Sequence, residues 1–508
     1  MKKISKILLV LAAMLLMLSM TLTSCGFLGG ILGGDKTDES DSKNPSDVQE
    51  SESETETEPF PELEIVNLGG KDILILWPEL HVDGHFVHNE IAVEDSKGDV
   101  IDMAIATRNT IVERAYNVNI LSETRFVSQI PKDVRTESQA GSTLGFHAIA
   151  SNINNANMVA IAQESWLTDF NDLIYYDESH PWWNHDLMQD LSFADARYFA
   201  SGDIIYSDDF YPYTTYVNMT VSDANLIEDN YYEMVSDKKW TLEKFHTLAK
   251  SVKTADYNKD SDTWSTSDVA GAVVNENFAK ASYYSTGKGL IEFNEQGSPV
   301  WQMEIARTQQ ILEYVIHIVH DNGACFNAGQ YKNHAEREIK LINGDNTLFL
   351  VEELIISERI SKSDNAADFK ILPFPLYEEG GEYTSVLNDA TVLAIPIMVE
   401  DADEVGLVLS AMSRASVDTL TPAFFETVLS GRYAPDGDSV KVLEIILGST
   451  VAPDIATVQN WGGFMAEFKR LAFENSTDFS SYYNAHIGEV NGEINNFNAL
   501  MNALHGRG

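Results

Sequence analysis

The chain has 508 residues and a formal net charge of −44, from 78 acidic against 34 basic residues. This charge excludes nucleic acid as a partner and flat contact with an anionic bilayer, because both surfaces are negative. Cys25 and Cys325 are the only cysteines, so a disulfide framework is excluded as well. The length is sufficient for two or three domain-sized units.

Residues 1–24 have the pattern of an export signal. Three lysines within the first six residues precede an apolar run from Ile7 to Leu22, which is short for a membrane span of ~20 residues. The sequence Leu22-Thr-Ser-Cys25 resembles the lipobox of bacterial lipoproteins, in which the cysteine becomes the lipidated first residue. The resemblance implies a lipid anchor on Cys25 and a place on the extracellular side of the cell membrane. The alternative is an ordinary signal peptide that contains a cysteine.

Residues 25–64 predict a disordered acidic tether. Between Asp35 and Glu58 there are ten acidic residues, two lysines and hardly an apolar side chain. Such a segment cannot bury enough apolar surface to offset its ordering entropy. Its charges repel one another, so we expect it to extend and to hold the folded part away from the membrane.

The folded part opens with segments typical of an α/β unit. Lys71–Trp77 is a near-continuous apolar run that predicts a buried parallel strand, ending at Pro78. Ile101–Asn117 has an apolar helical face and leads into a strand at Tyr116–Ile120. Gly145–Ser151 predicts the next core strand.

The stretch from Tyr198 to Val252 carries the densest set of signals. A short strand-like piece with a turn signal at Ser201-Gly202 is predicted at Tyr198–Tyr206, and a second strand at Thr214–Asn218. The loop Ser207–Tyr213 between them is rich in acidic and aromatic residues. A helix follows, with Thr241 as its N-cap. Its apolar stripe consists of Leu242, Phe245, Leu248, Ala249 and Val252.

Helices and strands alternate in the remainder. An amphipathic helix is predicted at Ile305–Val319, a buried strand at the end of Ile342–Val351, and a strand with a Pro-x-Pro ending at Phe369–Pro375. Leu387–Ile395 predicts a further strand, and Ala402–Ser413 predicts the helix after it.

A metal site has little support. Asp256, Asn258, Asp260 and Asp262 occupy positions 1, 3, 5 and 7 of a calcium loop, but the glycine and the bidentate glutamate of that loop are missing. An acidic surface turn is the better interpretation. The twelve histidines do not fall at ligand spacings.

The order of these pieces resembles one family, the extracellular solute-binding proteins of ABC importers that bind sugars. The matching residues are Glu113, Tyr116, Val118, Gly202-Asp203-Ile204, Tyr216-Val217-Asn218, Trp240-Thr241 and Phe369–Pro375. Phe146-His147 departs from the family, which has Tyr-Asp there. The resemblance implies an α/β, two-lobed periplasmic-binding-protein-like fold of type II, with lobes joined by crossing segments. It places residues 65–214 and 376–415 in the first lobe, and residues 215–375 and 416–508, with the C-terminal helices, in the second.

The resemblance also implies that a ligand binds between the lobes, where strands end. Aromatic rings stack on the C–H faces of a sugar, and carboxylate or amide groups bond its hydroxyls. The expected ligand-binding residues are Trp77, Glu79, Ser151, Asn152, Asp208, Asp209, Tyr211, Tyr283, Tyr284, Glu352, Glu353, Asn388, Asp389 and Trp461. Packing alone is the alternative role for each. Tyr211, Glu352 and Trp461 match family positions that line the cleft.

The implied function is capture of a solute, expected to be an oligosaccharide, and its delivery by a monomer to ABC permease subunits. No cofactor is implied, and no nucleotide-binding or hydrolase motif is present. A peptide or another polar metabolite stays open as the solute. One alternative is a lipid-anchored glycoside hydrolase that draws its two carboxylates, ~5–10 Å apart, from Glu352 and Asp208. The other is a carbohydrate-binding surface protein, which explains the tether but not the crossings.

Overall fold

The computed structural model describes residues 60, 62–79, 89–93, 99–141, 145–152, 158–192, 196–252, 269–295, 297–321, 324–330, 334–361, 363–387, 391–425 and 437–504. The chain divides into two compact units, Met1–Glu62 and Leu63–Gly508. Only residues 60 and 62 of the first unit are described, and every helix and strand described belongs to the second. The expected signal peptide, Cys25, most of the tether and the acidic turn at 256–262 lie outside the described residues.

The strands of the second unit form two large sheets and two small ones. In chain order they are β1 (Lys71–Glu79), β2 (Val118–Phe126), β3 (Ala148–Asn152), β4 (Tyr213–Asn218), β5 (Ala270–Val274), β6 (Ile291–Phe293), β7 (Pro299–Trp301), β8 (Cys325–Asn327), β9 (Thr347–Glu353), β10 (Phe369–Pro373), β11 (Ser385–Val386), β12 (Thr391–Ala394) and β13 (Thr450–Val451).

Each large sheet forms the centre of one lobe. Among the described residues, the first sheet has the order β12-β3-β1-β2 and the second has the order β10-β4-β9-β5-β8. β1 is parallel to β2 and β3, and β5 is parallel to β8 and β9. β12 in the first sheet and β4 in the second run against their neighbours. The molecule is therefore a mixed α/β protein with two lobes, as the sequence predicts.

Helices cover the two sheets. In chain order they are α1 (Val100–Tyr116), α2 (Ile130–Ala140), α3 (Met158–Gln163), α4 (His185–Asp190), α5 (Met219–Ala224), α6 (Tyr231–Ser236), α7 (Leu242–Ser251), α8 (Asn277–Tyr284), α9 (Ile305–Val319), α10 (His334–Asn343), α11 (Ile356–Ser361), α12 (Ala402–Ser416), α13 (Leu420–Phe425), α14 (Gly437–Gly448), α15 (Ile455–Val458), α16 (Phe464–Phe473) and α17 (Phe479–Leu504). α12 and α13 pack on α1, whereas α14 packs on β10 and α16 packs on α8 and α9. Among the helices of the described residues, none combines the length and the apolar character needed to cross a bilayer.

The chain passes between the sheets at one edge of each. β4 begins at Tyr213 and β10 ends at Pro373, both at the edge where β9 ends. β12 begins at Thr391, at the edge where β3 ends. The crossings at residues 207–212 and 374–390 therefore join the carboxyl edges of the two sheets. These edges lie on the sides of the lobes that face the hinge.

The described parts of the hinge lie side by side. β11, in the second crossing, pairs in parallel with β13, so that Ser385 lies opposite Thr450. Pro212 of the first crossing forms a single bridge with Leu387 of the second. The two crossings are thus linked to each other, and β13 adds a third segment to the hinge.

Two predicted elements match closely. Thr241 caps α7, since its hydroxyl oxygen accepts the backbone N–H of Lys244 across 3.1 Å. The predicted helix Ile305–Val319 has the same bounds as α9. Both predictions are confirmed because side-chain capping and a continuous apolar face are local signals.

The predicted strand at Tyr198–Tyr206 is wrong. The segment makes only single bridges within the described residues, Ala200 with Leu393 and Gly202 with Trp183. A Cβ on Gly202 would lie 2.1 Å from the carbonyl oxygen of Trp182. The chain packs here against two different elements, and this packing, not a strand ladder, buries its apolar residues.

The predicted end of the first strand at Pro78 is also wrong. β1 continues to Glu79, and Pro78 lies opposite Arg125 of β2. On its other side β1 pairs with β3 only at Ile75 and Leu76, so this pairing does not extend to Pro78. Pro78 therefore does not need an N–H for that side of the sheet.

Candidate functional site

Carboxyl groups meet at the carboxyl edge of the second sheet. Glu352 and Glu353 end β9, Glu338 comes from α10, and all three are at most 5% exposed. The side-chain amide of Asn275, the first residue after β5, donates to Glu352 Oε1 and, across 3.4 Å, to Glu338 Oε1. The backbone N–H of Glu353 donates to Glu352 Oε2 across 3.0 Å. Asn275, directly after β5, and the backbone of β9 itself thus fix the position of the Glu352 carboxyl group.

The surroundings of Glu352 favour its neutral form. Burial is the largest cause, and the charges of Glu338 and Glu353 act in the same direction, so the pKa of the Glu352 carboxyl lies well above its usual range. Glu352 also shares a hydrogen bond with Glu338. A neutral carboxyl group carries an O–H donor beside its acceptor. The carboxyl edge of the second sheet therefore holds both hydrogen-bond donors and hydrogen-bond acceptors.

An aromatic ring and an ammonium group border these carboxyl groups. Tyr213, the first residue of β4, is buried, and burial followed by the charge of Glu353 raises the pKa of its hydroxyl well above the usual value. The Nζ atom of Lys280, from α8, lies 5.9 Å from the centroid of the Tyr213 ring. Lys280 is itself buried. Lys280 thus brings an ammonium group to the face of the Tyr213 ring.

Trp77 and Ser151 lie at the carboxyl edge of the first sheet. They are 1% and 0% exposed. The indole N–H of Trp77 and the hydroxyl of Ser151 have no hydrogen-bond partner among the described residues. A buried polar group left without a partner costs about 1–3 kcal/mol, so both atoms are suited to bonding a molecule bound at this edge. Asn152 is buried beside them, whereas Glu79 is exposed.

The first crossing carries Asp209 and Tyr211. Asp209 ends a single 3₁₀ turn, Ser207–Asp209, and is half-buried, while Tyr211 is 6% exposed. The side chain of Asp208 lies outside the described residues. Tyr211 is thus enclosed within the hinge region.

The second half of the first crossing is fixed to the second lobe. The carbonyl oxygen of Phe210 accepts the N–H of Ile355 across 2.8 Å, and that of Pro212 accepts the N–H of Leu354 across 3.0 Å. Both donors directly follow Glu353. The acidic edge and the crossing are therefore one continuous structure.

A buried arginine fixes the first half of the crossing to the first lobe. Arg108 of α1 is 0% exposed, and its guanidinium donates to the carbonyl oxygens of Ile204 and Glu90 across 3.1 and 2.8 Å. The Glu90 carboxylate accepts the N–H groups of Tyr206 and Ser207 across 2.6 and 3.2 Å. Burial lowers the pKa of Arg108 to about 9, and the charge of Glu90 opposes that shift. We call Arg108 and Glu90 the crossing clamp.

Tyr283 and Tyr284 connect α8 to the C-terminal helices. The Tyr284 hydroxyl lies 2.7 Å from Thr457 Oγ1 and donates to Asp454 Oδ2 across 3.2 Å. The Tyr283 ring packs edge-on against Phe468, with centroids 5.7 Å apart. Both tyrosines are buried. The hydroxyl of Tyr284 is therefore already engaged within the protein.

Trp461 begins a short helical turn between α15 and α16. It is 3% exposed, its ring lies 6.1 Å from that of Phe497, and its indole N–H donates to Gln459 Oε1 across 2.8 Å. The next two residues, Gly462 and Gly463, have φ values of 57° and 70°. Because left-handed conformations favour glycine, the two glycines allow the chain to break the helical path directly after Trp461.

The structure brings some of the predicted site residues together and places the others elsewhere. Glu352 and Glu353 meet at one edge, and Trp77, Ser151 and Asn152 gather at the other. Tyr283 and Tyr284 contact α16 and α15, respectively, and Trp461 lies between these two helices. Asn388 and Asp389 lie outside the described residues.

Sequence reasoning missed several residues that shape the site. Arg108 follows Ile105 by three positions and precedes Val112 by four, so it lies on the apolar face of the predicted helix. This position indicates a buried arginine and could have been recognised from the sequence. Asn275 follows directly on a buried apolar strand, the same kind of position that selects Ser151 and Asn152. Glu338 had no local signal, because only the tertiary fold brings α10 to β9. Within the described residues, no group of three His, Cys, Asp or Glu side chains is arranged to hold a metal.

Two sheets that face a common hinge with their carboxyl edges define the two-lobed, type II periplasmic-binding-protein-like fold. Comparison with protein-family models gives no match for this sequence, and comparison with curated proteins gives none either. The fold class of this protein therefore rests on its three-dimensional structure.

Solved structures share the fold over most of the chain. A substrate-binding protein from Listeria monocytogenes in complex with cycloalternan has a TM-score of 0.51 and 13% identity, covering 84% of this chain and 99% of its own. A maltose/maltodextrin-binding domain from Bdellovibrio bacteriovorus bound to maltotriose has a TM-score of 0.51 and 10% identity, covering 84% and 100%. A sugar transporter from Rhizobium etli in an open conformation has a TM-score of 0.54 and 12% identity, covering 82% and 99%. At such identities the likeness establishes the fold alone.

Proposed function

We propose that this protein is an extracellular, lipid-anchored solute-binding protein that captures a carbohydrate between its two lobes and delivers it to an ABC permease. The solute is an oligosaccharide, and the protein acts as a monomer without enzymatic activity. The lobes comprise residues 65–214 with 376–415 and residues 215–375 with 416–508. Closure of the lobes about the crossings encloses the solute.

The arrangement of the two carboxyl edges is the observation that supports the proposal most directly. The carboxyl edges of both sheets are joined by the crossings, and each edge gathers the groups that sugar recognition uses. The second edge supplies Glu352, Asn275 and Tyr213, and the first supplies Trp77 and Ser151. Carboxyl, amide and hydroxyl groups bond the rim of a sugar, and aromatic faces contact its C–H surfaces.

The structural neighbours support the same solute class. The complexes named above contain cycloalternan and maltotriose, which are both carbohydrates. These neighbours are binding proteins and not enzymes, which favours binding over hydrolysis here. The described geometry adds that Glu352 is held by Asn275 and Glu338.

The sequence supports the anchor. Leu22-Thr-Ser-Cys25 follows an apolar run, and an acidic segment follows the cysteine. A lipid on Cys25 would hold the protein at the membrane, and the tether would give the folded lobes reach toward a permease.

A thermal-unfolding screen tests the solute class. The panel contains maltotriose, cycloalternan, glucose, glycerophosphocholine and a tripeptide. A solute present at 100 times its Kd stabilises the folded state by ~2.7 kcal/mol, so an oligosaccharide should raise the Tm and the tripeptide should not. Stabilisation by the tripeptide or glycerophosphocholine alone would contradict the carbohydrate proposal, and slow hydrolysis of the sugar would favour the hydrolase.

Ser151→Ala then tests the first edge. The substitution removes a buried hydroxyl that has no partner among the described residues, so the free protein should be as stable as the parent or more stable. Binding of the sugar should weaken, by calorimetry, by ~0.5–1.5 kcal/mol for one hydrogen bond. Ser410→Ala is the matched control, since Ser410 is also buried without a partner among the described residues but lies in α12. Equal binding by both variants would remove Ser151 from the site.

A further inference from the structure

The side chains of Gln163 and Gln459 form an amide pair across 296 residues of sequence. Gln459 Nε2 donates to Gln163 Oε1 across 2.9 Å, and Gln163 Nε2 donates to Gln459 Oε1 across 3.4 Å. The same Gln459 oxygen accepts the indole N–H of Trp461 across 2.8 Å. One carbonyl oxygen thus receives donors from α3 and from the turn that carries Trp461.

The two glutamines belong to different lobes. Gln163 ends α3, which follows β3 of the first sheet and lies beside α2. Gln459 caps α15, and Asp454 at the start of α15 accepts the N–H of Leu290 across 2.5 Å and the hydroxyl of Tyr284 across 3.2 Å. α15 is therefore fastened to the second lobe. The amide pair exists only when the lobes adopt a relative position that brings α3 to α15.

Residues with left-handed backbone conformations flank Trp461 on both sides. Asn460, between Gln459 and Trp461, has a left-handed conformation with φ 53°, and Gly462 and Gly463 on the other side are also left-handed. Trp461 is thus flanked by turn residues and lies outside any continuous helix. Its ring is held at one side by Phe497 and at its N–H by Gln459.

We propose that Gln459 is a positioning residue that couples the relative position of the two lobes to the orientation of Trp461. When the lobes meet, Gln163 fixes the Gln459 amide, and Gln459 then fixes the indole. When the lobes separate, Gln459 loses its partner on α3 and the indole loses its rigid acceptor. The consequence for solute binding rests on the proposed function, but the coupling itself does not.

The test uses the ¹⁵N-labelled protein without any solute, so it is independent of which solute binds. Trp461 is one of eight tryptophans, and its indole N–H signal is identified by its loss in Trp461→Phe. Gln163→Leu removes both amide bonds without touching Trp461. We expect exchange of the Trp461 indole proton with solvent to become roughly 2- to 10-fold faster, the effect of losing about one net hydrogen bond.

Two further variants separate coupling from a general loss of structure. Gln163→Glu keeps the acceptor for Gln459 Nε2 and should restore most of the protection of the indole proton. Gln129→Leu is the matched control, because Gln129 lies in the first lobe and bonds only Asp133 through its side chain among the described residues. It should leave the Trp461 signal unchanged. If Gln163→Leu leaves the signal and its exchange rate as in the parent, or if Gln163→Glu exchanges as fast as Gln163→Leu, the coupling is overturned.

Discussion

Arg108 and Ile204 are 96 residues apart in sequence, yet the buried guanidinium of Arg108 donates to the carbonyl oxygen of Ile204 across 3.1 Å. Together with Glu90, which accepts the N–H groups of Tyr206 and Ser207, Arg108 fixes the start of the first crossing to α1. The crossing is then fixed to the second lobe at Phe210 and Pro212. The segment is therefore attached at its start to the first lobe and at its end to the second lobe.

Replacement of Arg108 by Met should destabilise the protein strongly. The substitution leaves backbone carbonyl groups buried without a donor and removes the charge that faces Glu90, which together cost about 3–5 kcal/mol. Chemical denaturation measures the change in the free energy of unfolding. Arg135→Met is the control, since Arg135 pairs with Glu164 at the surface, where a salt bridge contributes less than ~1 kcal/mol. Equal destabilisation by the two substitutions would show that the clamp does not stabilise the fold.

The sequence predicts the elements of the fold better than their contacts. The apolar face of α9 and the N-cap of α7 are determined by residues close together in the sequence. The bounds of α9 and the start of α7 could therefore be predicted. The Tyr198–Tyr206 segment has the composition of a strand, but its neighbours are residues 182–183 and β12. Nothing in its own residues indicates that packing.

For the candidate site, the residues at strand ends could be predicted from the sequence, but their contacts with other elements could not. Residues that end strands, such as Glu352 and Ser151, could be selected because strand ends are recognisable. The proximity of Glu338 to Glu352, and of Gln163 to Gln459, depends on how α10 and α15 pack. Long-range contacts of this kind leave no periodic signal in the chain.

Glu352→Gln should stabilise the protein relative to the parent as the pH rises. Burial and the neighbouring carboxylates raise the pKa of Glu352 well above the unfolded value of 4.5. The folded state therefore holds a proton that the unfolded state releases, and the stability from this group is lost as the pH rises from about 4.5 toward the folded pKa. The glutamine does not titrate, so it avoids that loss.

Denaturation of this variant and the parent at pH 5 and pH 8 measures the effect. The difference in the free energy of unfolding should favour Glu352→Gln more at pH 8 than at pH 5. Glu123→Gln serves as control, since Glu123 pairs with Arg125 on the exposed face of β2 and should change stability by less than ~1 kcal/mol at both pH values. A difference for Glu352→Gln that is independent of pH would mean that Glu352 is ionised in the folded protein.

Gly202→Ala should be poorly tolerated. The added Cβ would lie 2.1 Å from the carbonyl oxygen of Trp182 and 2.9 Å from the Cα of Trp183. Because backbone atoms must move, we expect a loss of at least about 1–3 kcal/mol. Gly145→Ala is the matched control, since a Cβ added at Gly145 would meet no atom within 4 Å among the described residues. A Tm of Gly202→Ala equal to that of Gly145→Ala would show that the close approach at residue 202 does not exist in solution.

Cys25→Ser should release the protein from the membrane. In the proposed anchor the thioether that would carry the lipid requires the Cys25 thiol, whereas Cys325 lies in β8. Detergent phase partitioning of cell extracts measures the anchor, with Cys325→Ser as control. The Cys25 variant should move to the aqueous phase or stay unprocessed, and the control should remain in the detergent phase. An acylated Cys25→Ser protein would exclude the lipobox.

The distance between the lobes, measured with and without a bound solute, tests capture between closing lobes most directly. Spin labels at Lys132→Cys on α2 and Lys340→Cys on α10 occupy exposed positions in different lobes. Cys325 is only half-buried, so it is replaced by serine in both the labelled and the unlabelled protein to keep the labels at the two introduced positions. Saturation with the oligosaccharide that raises the Tm most should replace a broad distance distribution by a narrower, shifted one, whereas the tripeptide should leave it unchanged. An unchanged distribution at a saturating concentration of the sugar would contradict capture between two closing lobes.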